Sequence, residues 1–346
     1  MAIADKLNKL LETKKQIRQA IIDKGVEVGE DIVFAEYSNK IAAIEGGGNG
    51  PDYTAVYLAQ TSNETTYKEL FKNSTVTEID CSNGYNSSNV TDMRGMFQYC
   101  YYVTTLKINN LVTNNVTDMR NMFESCKSLT TLDLSNFNTS NVTNMNQMFY
   151  QCNKLTELDV SSFDTSNVTN MSYMFHSCYA LTSLDVNGFD TRNVTTMSSM
   201  FNYCNSLTSL DVSGFDTSNV TTMLCMFYRC ENLTMLDLNN FDTSNVTSTN
   251  QMFSYCNNLQ SLDLSNFDMA NVTDTTYMFY QCPKLHTLRL DNCSNDTINK
   301  IITSSGFPTG TITDSEGNTI TRKIYCKQAN AEGLTAPTNW EFEYVD

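Results

Sequence analysis

Twelve cysteines, two histidines and two evenly spaced rows of aspartates are the residues of this chain with types suited to chemistry. Eight cysteines stand at 100, 126, 152, 178, 204, 230, 256 and 282, each closing the string Met-Phe-x-x-Cys. Such a row could cross-link, hold metal or pack. No Cys-x-x-Cys pair exists, and His176 and His286 are too far apart to complete a zinc set. Neighbouring units could bring cysteine Cα atoms within disulfide range. Each cysteine, however, lies beside Met and Phe, and free Cys packs as a small hydrophobe. Buried, reduced thiols are therefore expected for the row and for Cys81 and Cys293, with Cys225 on a helix surface.

Asp133, Asp159, Asp185, Asp211, Asp237 and Asp263 also recur every 26 residues. Like charges one strand spacing apart repel by ~1 kcal/mol in water. The row is open to three uses: hydrogen bonding to neighbouring Ser and Thr, holding Ca²⁺ or another cation between units, or receiving a cationic ligand. Lys107 and Arg289 stand at its ends. A second row, Asp164, Asp190, Asp216, Asp242 and Asp268, is expected to open short helices, where capping and the helix dipole favour acids. Asn89, Asn115, Asn141, Asn167, Asn193, Asn219, Asn245 and Asn271 each begin Asn-Val-Thr. That is the glycosylation triplet of secreted eukaryotic proteins, but a stacked amide ladder is the expectation here.

No nucleophile elbow, P-loop, HExxH or dinucleotide fingerprint is present, so no enzyme and no cofactor are expected. Binding is the remaining chemistry. Tyr150, Tyr173, Tyr203, Tyr228, Tyr255, Tyr277 and Tyr280 gather at the positions that vary most between units. Tyr among Ser and Asn is the composition of adaptable recognition surfaces, although solvent-facing positions also drift. These tyrosines are the candidate ligand site, and the first aspartate row is the alternative.

The elements that must position these residues are written in a 26-residue unit repeated about eight times between Val76 and Leu290. Fixed periods of this length mean stacked supersecondary units. In Leu129–Lys154, Leu129, Leu132 and Leu134 follow the L-x-x-L-x-L spacing of a leucine-rich repeat strand, and Thr131 and Asp133 alternate outward. Phe137 turns inward, and Thr139 and Ser140 offer hydroxyl N-caps. Val142, Met145, Met148, Phe149 and Cys152 then take the spacing of one helix face. The expected fold is an α/β solenoid: leucine-rich repeats with short helices and a parallel ladder of nine strands on the order of 40 Å long.

The unit Phe163-Asp164-Thr165-Ser166-Asn167-Val168-Thr169, followed by Met171, Met174, Phe175 and Cys178, resembles the BspA-like leucine-rich repeat family common in bacterial surface lipoproteins. The likeness covers about 60% of the chain. It implies a display surface for partners, since one solenoid fold hosts many.

The net charge of −16 and a pI near 4.5 disfavour nucleic acid and anionic membrane surfaces as partners. No stretch of eighteen apolar residues suggests a membrane span. Met1–Gln16 alternates Lys with Leu and has no apolar core of a signal peptide, so no export signal is expected. Five segments follow: a helical attachment or oligomerisation module over 1–45, a Gly-rich linker at 46–51, an N-terminal cap at 52–75, the solenoid at 76–293, and a C-terminal cap at 294–346 with a hairpin and a final strand. Amphipathic helices are expected over 1–24 and 34–44, and in the N-terminal cap a strand at 53–58 and a short helix at 66–73.

Thr13-Lys14, Ile17, Ala20-Ile21, Lys24-Gly25-Val26, Phe34, Tyr37 and Lys40-Ile41 resemble an N-terminal module of bacteriophage tail and tail-fibre proteins. That resemblance implies a virion tail protein, attached to other tail proteins through 1–45, with the solenoid meeting a bacterial surface glycan or protein receptor. A dimer or trimer through the first helix is a further expectation. The alternatives are a bacterial cell-surface adhesin and an intracellular interaction scaffold.

Overall fold

The computed structural model describes residues 65–81 and 87–345. The helices expected over 1–24 and 34–44, the linker at 46–51 and the strand at 53–58 lie outside the described residues.

One coil, Leu129 to Lys154, is a chain of turns. Phe137 donates its N–H to Leu134 O (2.9 Å), Val142 to Thr139 O (2.8 Å), Met148 to Met145 O (3.2 Å) and Cys152 to Phe149 O (3.1 Å). Each bond reaches back three residues, as in a β-turn, and each delivers a buried side chain to the interior. The spacing that suggests a short helix over Val142–Cys152 is thus the spacing of successive turns. A helix is blocked at Gln147 and Gln151, whose φ values of 57° and 58° are left-handed. In addition, Met145, Gln147, Phe149 and Gln151 give their N–H groups to carbonyls of the next coil at 2.8–3.1 Å. The same left-handed pair recurs from Tyr173 and Ser177 to Tyr277 and Gln281, and in Glu69 and Asn73, where the helix expected at 66–73 is also a turn. A left-handed residue costs roughly 1–2 kcal/mol, and the inter-coil bonds offset it. The solenoid class holds; the short helix within each repeat is replaced by paired turns. Among the described residues the one α-helix is α1, Asn295–Ile302, beyond the repeats.

Five of the nine expected repeat strands form: β1 Glu78–Asp80, β2 Thr105–Lys107, β3 Met235–Leu236, β4 Ser261–Asp263 and β5 Thr287–Arg289. β1 pairs with β2, and β3, β4 and β5 pair in order, all parallel. The four positions at 131–133, 157–159, 183–185 and 209–211 keep their leucines buried but form no strand. Charge follows this division at the two paired ends, although Lys107 and Asp133 are opposite in sign and β2 still gains no partner at 131–133. Asp80 faces Lys107 and Asp263 faces Arg289, whereas in the middle coils aspartate follows aspartate. Like charges directly opposite destabilise a strand pair. The β3–β4 register accordingly stops at Leu236 and Leu262, one residue before Asp237 would meet Asp263. Another parallel ladder runs elsewhere in the coils, through bridges linking Thr66, Asp92, Asp118, Asn144, Asn170 and Thr196 in turn and a separate one between Ser248 and Asp274.

The interior is a row of nine phenylalanines from Phe71 to Phe279, one per coil. Neighbouring ring centroids lie 5.4–5.8 Å apart and their planes are within 13° of parallel. Phe307 ends the row edge-on at 5.7 Å.

Beyond the repeats, Ser294 caps α1 by accepting the Thr297 N–H, and Ile298, Ile301 and Ile302 close over the last coil. A hairpin of β6 Ile312–Thr313 and β7 Thr319–Ile320 turns around Asp314, which accepts the Asn318 N–H at 2.8 Å. β8 Arg322–Cys326 then pairs parallel with β5, and β9 Trp340–Tyr344 with β8, so the sheet continues past the repeats. The buried Arg322 guanidinium donates to the carbonyls of Leu285, Pro283 and Gly310 and lies 5.4 Å from the Trp340 ring.

Candidate functional site

The seven candidate tyrosines form one strip. They occupy two adjacent columns of the coil, one through Tyr150, His176, Asn202, Tyr228, Ser254 and Tyr280, the other through Gln151, Ser177, Tyr203, Arg229, Tyr255 and Gln281; Tyr173 and Tyr277 flank them. Where one column carries a small residue, the other supplies a ring: Tyr203 beside Asn202, and Tyr255 beside Ser254. The rings therefore zigzag, with centroid separations of 5.4 Å for Tyr203–Tyr228, 5.6 Å for Tyr228–Tyr255 and 5.4 Å for Tyr255–Tyr280. Their tilted and edge-on angles suit aromatic quadrupoles. His176 joins Tyr150, at 4.7 Å, to Tyr203, at 5.9 Å. Tyr173 meets both Tyr150 and His176, and Tyr277 meets Tyr280 at 5.2 Å.

One cation sits within this strip. The Arg229 guanidinium lies 4.3 Å from the Tyr255 ring centroid and 5.3 Å from that of Tyr203, and pairs with Glu231 at 3.2 Å. Tyr277 is 45% exposed and Tyr179, edge-on to Tyr203, 39%; the other candidates are half-buried. Those half-buried rings pack the coil as well as facing outward. Replacing several together would cost stability, about 0.5–1.5 kcal/mol for each aromatic pair lost. Burial holds the His176 imidazole near a pKa of about 4, so it is neutral at pH 7 and contributes a ring rather than a charge.

The first aspartate row is built differently. Asp133 accepts the Ser135 N–H (3.0 Å) and hydroxyl (2.7 Å), and Asp159 and Asp211 accept the same pair from Ser161 and Ser213. Asp185 and Asp237 accept the N–H of Asn187 and Asn239, and Asp263 that of Ser265. Each carboxylate thus closes a turn within its own coil. The serine hydroxyl and N–H hold Asp133, Asp159 and Asp211 below the usual carboxylate range. The second row repeats this device at the next corner: Asp164 and Asp216 accept from Ser166 and Ser218. These acids open turns, not helices.

Other columns serve the stack. From Asn115 to Asn271 each asparagine of the Asn-Val-Thr triplet donates its side-chain N–H to a backbone carbonyl of the preceding coil, as Asn167 does to Ser140 O at 2.8 Å. The expected amide-to-amide ladder is an amide-to-backbone ladder. Thr139 is not an N-cap; buried, it donates to Asp164 O in the next coil at 2.9 Å. That buried threonine column runs unchanged from Thr113 to Thr243, with Ser87 before it and Met269 after it, and this constancy over six units is its signal in the sequence. Each ladder cysteine donates its S–H to a phenylalanine carbonyl of the coil before, at 3.0–3.3 Å. All twelve thiols are free, and burial raises those of Cys100, Cys152 and Cys282 to about 12. Cys225, half-buried on a left-handed residue, rises to about 11. Among the described residues no helix is long and apolar enough to cross a membrane.

The model of a family described as Mycoplasma protein of unknown function, DUF285, matches residues 65–183, 131–210 and 208–303. Among solved structures, the chain is similar to the functional domain of InlJ from Listeria monocytogenes, whose description includes a cysteine ladder. There the identity is 18% and the TM-score 0.29, covering 79% of this chain and 60% of that one. A leucine-rich repeat protein from Leptospira interrogans is 14% identical with a TM-score of 0.25, covering 63% and 61% respectively. The chain thus spans about three fifths of the length of each of these two structures. No curated protein matches.

Proposed function

The chain belongs to the DUF285 family of repeat proteins, and from that premise we propose that it is a non-enzymatic binding protein whose solenoid displays the tyrosine strip to a bacterial surface glycan or protein receptor. The observation that carries this reading is the unbroken run of rings from Tyr150 to Tyr280 around Arg229. Aromatic faces offer contact area with little side-chain entropy to lose, and the half-buried Gln151 and exposed Gln281 in the same columns offer hydrogen bonds to a sugar or peptide. In the finer form of the proposal the protein is a bacteriophage tail-associated, receptor-binding component of the virion. Residues 1–45 would attach it to other tail proteins or form a dimer or trimer. The resemblance of Glu12–Ile44 to tail and tail-fibre modules supports that form.

Adsorption of the labelled full chain to a panel of bacterial strains tests the binding surface. Tyr179→Ser with Tyr277→Ser removes the two most exposed rings in and beside the strip from Tyr150 to Tyr280, and Tyr203→Phe with Tyr228→Phe removes hydroxyls while keeping the packing. Both pairs should weaken adsorption at least fivefold; the Phe pair should leave the melting temperature nearly unchanged, and the Ser pair should lower stability by no more than the ring contacts it removes, about 0.5–1.5 kcal/mol for each pair. If adsorption survives both and is lost on replacing Asp159, Asp185, Asp211 and Asp237 with Asn, the aspartate row is the binding face. If no variant matters, the strip has no part in binding.

A further inference from the structure

Three departures from the repeat meet at one corner of two neighbouring coils. The position after the first corner is Asn136, Ser162, Asn240 and Asn266 in other coils, but Gly188 and Gly214 in these. Asn136, Asn240 and Asn266 use their side-chain amides to cap a backbone carbonyl of the preceding coil: Asn109, Ser213 and Asn239 respectively. Gly188 and Gly214 leave the equivalent carbonyls, Ser161 O and Asn187 O, without that donor. Backbone conformation does not demand glycine here, since neither residue has a left-handed φ. Packing does not demand it either: a Cβ added at Gly188 would meet only Ser161 O at 3.9 Å, and at Gly214 only Asn187 O at 3.6 Å. The third departure is Arg192, in a column that carries Asn114, Ser140, Ser166, Ser218, Ser244 and Ala270 in other coils, all shorter and uncharged.

Together these residues line a wide-open surface cleft of about 470 Å³ with Asp190 and Asp216 on its walls. Arg192 is held over it by Asp190, Nε to Oδ1 at 2.9 Å and the terminal nitrogen to Oδ2 at 2.8 Å. Its side chain is 69% exposed, so the remaining guanidinium N–H groups are available to a ligand. The cleft holds a carboxylate acceptor and a fixed cationic donor, with Phe189 and Thr191 completing its lining, and beside its two glycines lie the Ser161 and Asn187 carbonyls, two backbone acceptors one coil apart.

We propose that this cleft is a second binding site, for a neutral saccharide bearing vicinal hydroxyls. Such a ligand donates to Ser161 O, Asn187 O and the Asp216 carboxylate while a ring or hydroxyl oxygen accepts from Arg192. The glycine floor lets its ring lie against the backbone. The local balance of two carboxylates and one guanidinium disfavours an anionic sugar. The site stands apart from the tyrosine strip and does not rest on that strip's function.

The test restores the repeat's own residues. Gly188→Asn with Gly214→Asn replaces the missing caps and fills the cleft, and because three other coils carry Asn there, the melting temperature should hold or rise. Saturation-transfer NMR on the full chain, with methyl glycosides of glucose, galactose and mannose as probes, reads binding directly. At least one glycoside should receive saturation from the unaltered protein, and that transfer should fall at least tenfold in the filled variant. It should fall about threefold or more in Arg192→Ser, and persist in the Tyr179→Ser, Tyr277→Ser variant. Transfer to no glycoside overturns the proposal, as does transfer that survives filling or depends on the tyrosines. Transfer to ethylammonium alone, abolished by filling, makes the cleft a cation site and also overturns it.

Discussion

Asp263 and Arg289 face one another across β4 and β5, with carboxylate and guanidinium 3.9 Å apart; at the other end of the solenoid Asp80 faces Lys107 at 3.6 Å. Strand pairing through the aspartate position occurs at these two places, and in the coils between them, where Asp133, Asp159, Asp185 and Asp211 succeed one another, no strand forms. The aspartates are kept for the turns they close, at the expense of the ladder. Asp185→Lys places a cation between Asp159 and Asp211. It should raise stability by ~0.5–1 kcal/mol at low ionic strength, even after loss of the turn bond to Asn187. The gain should shrink as salt screens exposed charges. Thermal melts of both proteins in 20 mM and 500 mM salt measure this. An unchanged or lower melting temperature at low salt would show that charge does not open this face.

The stacking of the chain was legible because the buried positions at Leu132, Phe137, Val142, Met148 and Cys152 recur without a slip. What those spacings could not reveal is the backbone between them. A step of three residues places side chains on one side of a helix and equally on one side of consecutive β-turns. Only the destination of alternate N–H groups, to the next coil or to the same one, separates the two. Polar residues such as Gln147 and Tyr173 in left-handed backbone carried no distinguishing composition. The clustering of the tyrosines was visible in sequence, but their zigzag was not, because it depends on which of two columns holds the small residue in each coil. Gly188, Arg192 and Gly214 read as ordinary variation until the coils stack them side by side.

The cysteine ladder predicts slow thiol chemistry. With Cys152 raised to about 12, Cys126 and Cys178 beside it raised well above the ordinary thiol range by burial, and their S–H groups engaged by carbonyls of the preceding coil, neither ionisation nor access favours attack, since the thiolate is the reactive form. Aromatic-disulfide labelling of the native protein at pH 8 should modify Cys225 first and slowly, while denaturant releases all twelve. Rapid native labelling at Cys152 or Cys178 would mean that the coils separate readily.

His176 sets a pH window. Its folded pKa of about 4 lies below the ordinary 6.5, so the unfolded chain binds the proton more tightly. The stability of the neutral ring is complete above pH 6.5 and is lost progressively as pH falls toward 4. Burial also depresses His286, so the comparison must be with a variant. His176→Asn introduces the residue found one coil later at Asn202, and its melting temperature should fall less between pH 7 and pH 5 than that of the unaltered protein. Carboxylates such as Asp133 and Asp159, held below their usual range, act at lower pH and leave this interval to the imidazoles. Equal falls in both proteins would mean that His176 is protonated without penalty.

The buried threonine column offers the sharpest separation of hydrogen bonding from packing. Thr217 is fully buried, donates its hydroxyl to Asp242 O at 2.9 Å and accepts the Asp242 N–H at 2.8 Å. One side chain therefore satisfies both backbone groups of a residue in the next coil. Thr217→Val keeps the shape but strands that N–H and carbonyl away from water, and an unpaired buried polar group costs about 1–3 kcal/mol. Thr217→Ser keeps the hydroxyl and loses only a methyl, at about 1 kcal/mol. Denaturant unfolding should therefore rank the native protein first, Ser second and Val last, with the Val variant at least 1 kcal/mol below Ser. Because each coil rests on its neighbours, the Val variant should also broaden the transition or lower its slope, as the coils on either side of Asp242 begin to unfold separately. If Val matches or exceeds Ser, burial of the methyl groups outweighs the paired hydrogen bonds, and the column's threonines are packing residues.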